Sequence, residues 1–380
     1  MTSEETDMKR LLIINPGSTS TKVAVFHDTE EQRTRIISHT SAELQKYNTI
    51  IDQLPFRIKA IRRFLREKGL GLDSFDAFVG RGGLLHPIPG GTYKIDQPMV
   101  DDLRSCRYGS HASNLGALIA YQFATEGLRP AFIVDPVVVD ELDPVARITG
   151  LPDIEKRSIF HALNQKSVAK RFAESIGRVY DELTLIVAHM GGGISIGCHR
   201  KGRVVEVNNA LNGTGPFSPE RAGTVQAGQW TELILRKRVP ESDALRMLSG
   251  RGGLVAHLGT SDTREVQKRI AAGDEHARLV YDAMIYNIAR EIGAASIAAK
   301  GLVDGIILTG GIAHSDYVTG QIREYVRHIA PVHIIAGENE MLALAEGAFR
   351  VLSGLETARV YVLSVEAGIE FHEGLAVSRN

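Results

Sequence analysis

The sequence predicts an α/β protein that is built from two related halves. Each half begins with an apolar β-hairpin and a third strand, and then alternates helices with short buried strands. These first three strands are predicted at residues 11–14, 23–26 and 33–40, and again at 184–189, 194–198 and 204–207. The chain has 380 residues, which is enough for two domains. We therefore expect a duplicated fold with a ligand cleft between its halves.

The remaining elements are predicted from apolar spacing and from the residues that end helices. Leu54, Ile58, Ile61 and Leu65 recur at helical spacing, and Gly69 ends that helix. Further helices are predicted near 113–126, 162–176, 275–300 and 340–352, and buried strands near 75–79, 131–134, 305–308 and 332–335. Residues 84–98 are rich in proline and glycine, which predicts an extended loop.

The start of the second hairpin places the predicted domain boundary near residue 178. We expect a first domain of residues 1–178 together with the C-terminal segment 353–380, whose end is too short to fold alone. The second domain is expected to span residues 179–352. Residues 1–10 are polar and lack the apolar core of a signal peptide, which predicts a lead-in to the first strand.

The composition excludes several classes of function. The chain has 44 basic and 45 acidic residues, so its formal charge of −1 carries no electrostatic footprint for nucleic acid or an anionic membrane. No apolar stretch approaches the length that spans a bilayer. Cys106 and Cys198 lack the spacing of a metal site, and so few cysteines fit a reducing cytoplasm.

The first hairpin turn is dense in groups that bind an anion. Gly17 permits a tight turn, and the hydroxyls of Ser18, Thr19 and Ser20 follow it, with Asn15 and Lys22 on either side. A transferred phosphoryl group needs several converging donors of this kind. Asn-Pro-Gly-Ser is also ordinary turn chemistry, so a purely structural role stays open.

Two further glycine turns follow apolar strands, at residues 189–195 and 309–315. The chain has no GxxxxGK[ST] motif, which excludes a P-loop fold. Gly191, Gly193 and Gly197 form GxGxxxG rather than GxGxxG, and a hairpin rather than a helix follows, so a dinucleotide site is the weaker reading. Three such turns favour a nucleotide held by backbone groups.

Four side chains near predicted strand ends or helix starts are candidates for the chemistry. Arg81 could hold an anion with its guanidinium fork, although it could also lie on the surface. Asp135 ends an apolar strand and could coordinate Mg²⁺, or it could serve the Asp-Pro turn. His111 and His161 each open a helix and could contact a phosphoryl group or cap the backbone.

Three further candidates stay ambiguous from local sequence. Arg221 lies on a loop with two prolines, and its side chain could face the cleft or solvent. Glu338 and Glu340 lie at the start of the last predicted helix, where acidic residues also favour the helix dipole.

In combination and in this order, seven segments resemble the acetate and butyrate kinase family. That family lies within the sugar kinase–Hsp70–actin superfold, whose duplicated actin-like, ribonuclease H-like domains enclose a central nucleotide cleft. Within the family, the chain is most similar to the butyrate kinases. The segments are Ile14–Lys22, Gly80–Gly83, His111–Asn114, Ile133–Asp135, Ile159–His161, Ala188–Ser195 and Leu308–Ala313.

The resemblance implies ATP and Mg²⁺ as cofactors and a short-chain carboxylate as phosphoryl acceptor. Asn15 would help to hold the metal, Asp135 would orient it, and either Glu338 or Glu340 would be linked to it. The resemblance further implies nucleotide or phosphate binding by Ser18, Thr19, Ser20 and Lys22, by His189, Gly191, Gly192 and Gly193, and by Gly310, Gly311, Ile312 and Ala313.

The resemblance also implies the acceptor site. Arg81 would contact the carboxylate and the transferred phosphoryl group, with His111, Gly82 and Gly83 lining that site. Relative to acetate kinases, the segment Gly80–Gly83 and a glycine of the second phosphate turn carry smaller side chains, as in butyrate kinases, which suggests room for a longer acyl chain. His161 would contact the phosphoryl group in transfer, and Arg221 would be the second arginine of the site.

The expected reaction is direct in-line transfer from ATP to butyrate or a branched short-chain acid. A carboxylate is already a competent nucleophile, so cations that offset charge matter more than a general base. A sugar kinase of the same fold and an actin- or Hsp70-like ATPase remain the alternatives. The family further suggests a homo-oligomer, a dimer or larger.

Overall fold

The computed structural model describes residues 8–363 of the chain. Residues 1–7 of the expected lead-in, and residues 364–380 of the expected docked segment, lie outside the described residues. The strands are β1 (Arg10–Pro16), β2 (Ser20–His27), β3 (Glu30–Ser38), β4 (Ala77–Gly80), β5 (Thr92–Lys94), β6 (Ala131–Val134), β7 (Thr184–Met190), β8 (Ile194–Arg200), β9 (Arg203–Val207), β10 (Gly305–Gly310) and β11 (Val332–Ala336).

Helices connect these strands and cover the sheets. They are α1 (Ser41–Leu44), α2 (Leu54–Glu67), α3 (Gln97–Arg104), α4 (Asn114–Gly127), α5 (Pro144–Arg147), α6 (Ala162–Ser175), α7 (Ala227–Lys237), α8 (Glu241–Leu248), α9 (Gly253–Leu258), α10 (Thr263–Ala271), α11 (Glu275–Ala298), α12 (Asp316–Val326) and α13 (Glu340–Leu352). Among the described residues, no helix combines the length and the apolar character needed to cross a membrane.

The duplicated α/β fold is confirmed by two sheets of matching topology. The first sheet has the strand order β3-β2-β1-β4-β6-β5, and the second has the order β11-β10-β7-β8-β9. In each sheet a three-stranded antiparallel meander continues into parallel strands, so β1, β4 and β6 correspond to β7, β10 and β11. Strands 10–16 and 184–190 therefore play the same role in the two halves.

The first compact unit comprises residues 8–139 and 339–363. Helices α4 and α13 both pack against β1, β4 and β6. On the α4 side, Leu12, Phe78 and Phe123 belong to one buried apolar cluster. The segment after α13 also packs on this unit, because the Tyr361 hydroxyl donates to Asp102 over 2.8 Å and the Arg359 N–H donates to the Thr92 carbonyl.

The second unit comprises residues 140–338, and its sheet is covered on both faces. Successive side chains of β7 point to opposite faces, as a strand requires. Leu185 and Val187 pack in the cluster that includes α6, while Ile186 and Ala188 pack in the cluster that includes α11 and α12. This burial on both faces explains the continuous apolar run that precedes the second glycine turn.

The division of the structure differs from the predicted boundary near residue 178. Residues 140–178 group with the second unit, since α6 packs on β7 and β10, and α13 groups with the first unit. The loop predicted at 84–98 was also incomplete. It contains β5, which pairs antiparallel with β6, and the start of α3, where Asp96 caps the helix and Pro98 lies in its first turn.

Candidate functional site

In the first unit, three predicted site residues lie at one edge of the sheet. Strands β1, β4 and β6 are parallel neighbours, and their carboxyl ends lead to Asn15, Arg81 and Asp135. This edge is where ligands bind in open α/β sheets. The fold therefore brings together the polar groups that follow separate strands in the sequence.

The turn between β1 and β2 presents its hydroxyl side chains at the surface. The Gly17 N–H donates to the Ser20 carbonyl over 2.8 Å and closes the turn, while Ser18 and Thr19 are exposed. Lys22 pairs with Asn15 in the strand register, so both flank the turn as predicted. Ser20 and Lys22 are half-buried.

The same turn is held from behind by a buried arginine that the sequence analysis did not identify. Arg57 is 0% exposed, and its guanidinium donates to the carbonyls of Gly17 (2.9 Å), Ser18 (3.1 Å) and Ser20 (2.9 Å). Its other hydrogen bonds go to the side chains of Gln53 and Thr21. These three carbonyls of the turn therefore accept hydrogen bonds from Arg57 on the inner side of the turn.

Arg81 lies in a small polar cluster with Asn15 and Glu340. The Arg81 guanidinium forms an ion pair with the Glu340 carboxylate, and the Asn15 amide donates to that carboxylate over 2.8 Å. Arg81 is held at its backbone by a 2.9 Å hydrogen bond to the Ile14 carbonyl. The cluster distinguishes two candidates, because Glu340 lies beside Asn15 and Arg81 whereas Glu338 belongs to the second unit.

Asp135 is buried and adopts an uncommon backbone conformation. Its φ is 36°, a region that non-glycine residues rarely occupy, and such strain is concentrated at functional sites. Its Oδ1 accepts a 2.7 Å hydrogen bond from the Gly91 N–H, so one carboxylate oxygen serves the neighbouring loop. The position of Asp135 is therefore compatible both with holding the neighbouring loop and with binding a metal through its other carboxylate oxygen.

The His111 ring contacts Ser113, the residue that precedes α4. Its Nδ1 accepts from the Ser113 N–H over 3.2 Å and lies 2.8 Å from the Ser113 hydroxyl, just before α4 begins. Desolvation, and then the charge of Arg81, lower the pKa of His111 below its usual value. His111 is therefore held as a neutral ring whose titration is sensitive to Arg81.

Gly82 and Gly83 are buried against protein atoms. A Cβ on Gly82 would lie 2.6 Å from the Pro136 Cβ, and a Cβ on Gly83 would lie 2.5 Å from the Asn114 Oδ1. Pro136 and Asn114 therefore fill the volume beside these two glycines.

In the second unit, the turn between β7 and β8 is built almost entirely from backbone. The Gly191 N–H donates to the Gly193 carbonyl over 3.0 Å, and the Gly192 carbonyl accepts from the Ser218 hydroxyl over 2.7 Å. Arg221 packs on this turn, since a Cβ on Gly193 would lie 2.5 Å from the Arg221 Cζ. The Arg221 guanidinium also donates to the Ala210 carbonyl, and burial lowers its pKa.

Two predicted histidines stack beside this turn. The rings of His161 and His189 are 3.8 Å apart between centroids with an interplanar angle of 10°. His189 Nδ1 lies 2.8 Å from the Asn164 Oδ1, and His161 Nδ1 lies 2.9 Å from the Ser195 hydroxyl. Glu338 Oε1 is 3.1 Å from the buried His189 Nε2, outside hydrogen-bond geometry.

The third glycine turn lies against the second. Gly310 ends β10 with φ of +86°, and a Cβ there would lie 2.7 Å from the Met190 carbonyl carbon. Gly311 is exposed, but Ile312 and Ala313 have their side chains in the apolar cluster. Any nucleotide contact at residues 310–313 would therefore be made by backbone atoms, with those of Gly311 the most exposed.

Glu340 and Asp135 are carboxylates of the kind that Mg²⁺ accepts as ligands. Among residues 8–363, no group of three or more His, Cys, Asp or Glu side chains could hold a metal. Mg²⁺ at phosphoryl-transfer sites uses one or two carboxylates together with waters and substrate phosphates, and Glu340 and Asp135 could supply those.

The supporting residues were missed because their signal lies in the helices rather than in the glycine turns. Arg57 shares the apolar face of α2 with Leu54, Ile58 and Ile61, and a charge at a core position was the available signal. Gln165, one turn into α6 after His161, is 0% exposed and bonds to Ser195. No spacing rule in the sequence indicated Gln165.

Comparison with known proteins places the chain within one family. Residues 154–370, more than half of the chain, match the model of the acetokinase family. Butyrate kinase 1 of Clostridium acetobutylicum is 50% identical over 93% of this chain and 100% of its own length. An acetate kinase of Porphyromonas gingivalis shares the fold with a TM-score of 0.73 at 18% identity, covering 90% of this chain and 99% of that one. A propionate kinase of Francisella tularensis gives a TM-score of 0.69 at 17% identity, with coverage of 90% and 99%. The chain belongs to the acetokinase family.

Proposed function

We propose that this protein is a butyrate kinase, which transfers the γ-phosphoryl group of ATP to butyrate or a similar short-chain carboxylate. The products are an acyl phosphate and ADP. The observation that carries this proposal is the cluster of Arg81, Asn15 and Glu340 at the carboxyl ends of β1 and β4, beside the hydroxyl-rich turn. The relative named butyrate kinase, which aligns over nearly the whole chain, supports the acceptor.

The role of Arg81 follows from the charges of the reactants. An anionic carboxylate must approach an anionic phosphate, so a fixed cation lowers the barrier more than a base would. Arg81 offers a planar fork that suits both groups. In the structure its guanidinium pairs with Glu340, and we propose that the acceptor carboxylate competes for the same fork when it binds.

We propose Mg²⁺ as the metal, held from the protein by Glu340 and Asp135, where it would neutralise phosphate charge. Asn15 orients Glu340 through their 2.8 Å hydrogen bond. Ser18, Thr19, Ser20 and Lys22 offer donors to phosphate oxygens at the turn that Arg57 holds. Glu338 is the weaker metal candidate, because it lies by His189 rather than by Asn15.

In the second unit we propose that the turn Gly191–Gly193 binds nucleotide phosphates through its backbone. A turn with no side chains lets phosphate oxygens approach N–H groups closely. Arg221 packs on this turn and adds a cation that burial keeps desolvated. His161 would donate a hydrogen bond to the phosphoryl group during transfer.

The test is a trap for the acyl phosphate. Protein, Mg-ATP and hydroxylamine are incubated with acetate, propionate, butyrate, isobutyrate or valerate, and hydroxamate is measured. The proposal predicts the highest rate with a four-carbon acid, straight or branched. ATP hydrolysis without hydroxamate from any acid would favour a conformational ATPase, and phosphorylation of sugars instead would favour a sugar kinase.

A variant pair connects the activity to the proposed residue. Arg81→Ala should lower hydroxamate formation by about 10³-fold or more, the range for removing a transition-state arginine. Arg63→Ala, at a surface ion pair with Glu67, should leave the rate unchanged. Equal rates in the two variants would refute the role of Arg81. We further propose that the protein is a cytoplasmic homo-oligomer. Size-exclusion chromatography with light scattering would measure its oligomeric state.

A further inference from the structure

A buried chain of polar side chains in the second unit begins at His161. His161 Nδ1 lies 2.9 Å from the Ser195 hydroxyl, and the Gln165 amide reaches the same hydroxyl over 2.8 Å. On its other side, Gln165 Oε1 lies 3.0 Å from His199 Nε2, and the Tyr180 hydroxyl lies 2.8 Å from His199 Nδ1. Ser195, Gln165 and His199 are each 0% exposed.

The direction of every hydrogen bond at Gln165 is fixed by a backbone carbonyl. Gln165 Nε2 lies 3.0 Å from the Ser195 carbonyl oxygen, which can only accept, so that end of the amide is the NH₂ group. The opposite end is then the oxygen, which needs a proton from His199 Nε2. His199 Nδ1 in turn accepts from the Tyr180 hydroxyl.

The Ser195 hydroxyl has three contacts, and two of them come from obligate donors. The Gln165 NH₂ group donates to its oxygen, and the His161 backbone N–H approaches the same oxygen at 3.4 Å. A hydroxyl has two lone pairs and one proton, so both lone pairs are used. Its proton is left for His161 Nδ1, at 2.9 Å.

We infer that Gln165 and Ser195 are positioning residues that fix His161 as the tautomer with its proton on Nε2. The consequence for phosphoryl transfer rests on the proposed function. A neutral ring with Nε2–H offers a hydrogen bond to a phosphoryl oxygen, whereas the other tautomer would direct a lone pair at an anion. The buried amide therefore selects the form of His161 that can stabilise the transferred group.

The stacked neighbour, His189, is held with a proton on Nδ1. Asn164 Nδ2 donates to the Gly337 carbonyl at 3.5 Å, which orients the amide so that its oxygen faces His189 Nδ1 at 2.8 Å. His189 thus carries a proton on Nδ1, while its Nε2 lies 3.1 Å from Glu338 Oε1 and has no hydrogen-bond partner among the described residues. The two rings, 3.8 Å apart, therefore differ at Nδ1, which accepts in His161 and donates in His189.

The direct test is nitrogen-15 NMR of the histidine side chains in the full-length protein at neutral pH. Signals of His161 and His189 are assigned from the spectra of His161→Gln and His189→Gln. We expect His161 with a protonated Nε2 and a bare Nδ1, and His189 with a protonated Nδ1. A protonated Nδ1 on His161, or a mixture of its tautomers, would overturn the inference.

Variants test whether the buried chain causes this selection. In Gln165→Met and Ser195→Ala, the Nδ1–H form of His161 should become populated, and kcat should fall in proportion to the remaining Nε2–H fraction. Tyr180→Phe removes the hydroxyl at the far end of this polar chain. The Ser195 carbonyl would still orient the Gln165 amide in that variant, so His161 should keep its tautomer. If His161 stays fully Nε2–H in both Gln165→Met and Ser195→Ala, the inference is refuted.

The NMR result and the activity result are separable. A wild-type protein that shows Nε2–H on His161 but forms no hydroxamate would refute the proposed function and leave the tautomer assignment standing. A carboxylate kinase whose His161 shows Nδ1–H would do the reverse.

Discussion

Replacing Arg57 by methionine should damage a site that Arg57 does not itself enter. The side chain is fully buried, and its guanidinium donates to three carbonyls of the first turn, those of Gly17, Ser18 and Ser20. Burial lowers the pKa of Arg57 to about 10, so the side chain remains charged at neutral pH. Methionine is similar in length and apolar, and so it removes the donors while leaving most of the volume filled.

The size of the effect follows from the number of acceptors that lose a donor. An unsatisfied buried acceptor costs about 1–3 kcal/mol, and the Ser20 carbonyl would still accept from the Gly17 N–H, so the two carbonyls of Gly17 and Ser18 would cost about 2–6 kcal/mol. Part of this cost is recovered, because Arg57 bonds to carbonyl, amide and hydroxyl oxygens, so its buried charge is costly to desolvate. We expect a net loss of about 2 kcal/mol in the free energy of unfolding, with water entering beside the turn.

The functional effect should exceed what a loss of stability explains. With the turn no longer held, kcat/KM for ATP should fall at least about tenfold, equivalent to about 1.4 kcal/mol, at temperatures where the variant is fully folded. Urea denaturation and the hydroxamate assay measure the two effects. Arg66→Met, on an exposed position of the same helix, is the matched control and should change neither. An Arg57→Met protein with wild-type stability and kcat/KM would refute the reasoning.

Three further predictions concern the glycine turn, the metal and the pH dependence of stability. Gly193→Ala should abolish most activity, because its Cβ would collide with the arginine packed on the turn, whereas Gly228→Ala, at an exposed position of α7 with no atom within 4 Å of the added Cβ, should stay active; equal activities would contradict the packing. Glu340→Gln should raise the Mg²⁺ concentration for half-maximal rate by about tenfold, and Glu338→Gln should not; the opposite order would reassign the metal-linked carboxylate. Burial, and then the charge of a nearby lysine, hold the pKa of His199 well below its usual range, so the folded state resists protonation there. The free energy of unfolding should therefore fall as pH drops below about 6.5. In urea titrations, His199→Gln should reduce the slope of this free energy against pH by about 1.4 kcal/mol per pH unit. An unchanged slope would contradict this prediction.

Much of the fold was predictable because the spacing of apolar residues and the positions of turn-forming residues indicate the same elements along the chain. The hairpin of residues 10–27 and the strand at 131–134 match their predictions, since apolar runs bounded by turn residues have few alternative structures. Strand 92–94 was missed because its pairing with β6 and with the chain near Arg359 is set by tertiary contacts. The domain boundary was misplaced for a related reason, since the unit to which α6 belongs depends on which sheet it covers.

The candidate site was predictable where function resides at strand ends and glycine turns. Arg81 and Asn15 follow strands whose register the fold then aligns, so the sequence position already implied the edge of the sheet. The sequence could not distinguish Glu338 from Glu340 as the metal-linked residue. They are two positions apart, and the division between the two units falls between them. Arg57 and Gln165 act from the interior of helices, where a polar residue has meaning only once its partners are known.

The central claim is that a carboxylate accepts the phosphoryl group. Phosphorus-31 NMR of the wild-type protein with Mg-ATP and butyrate observes the product without a trapping reagent. The account predicts that ADP and butyryl phosphate appear in equal amounts, and that Arg81→Ala suppresses both. Release of inorganic phosphate with ADP, and no acyl phosphate, would contradict it.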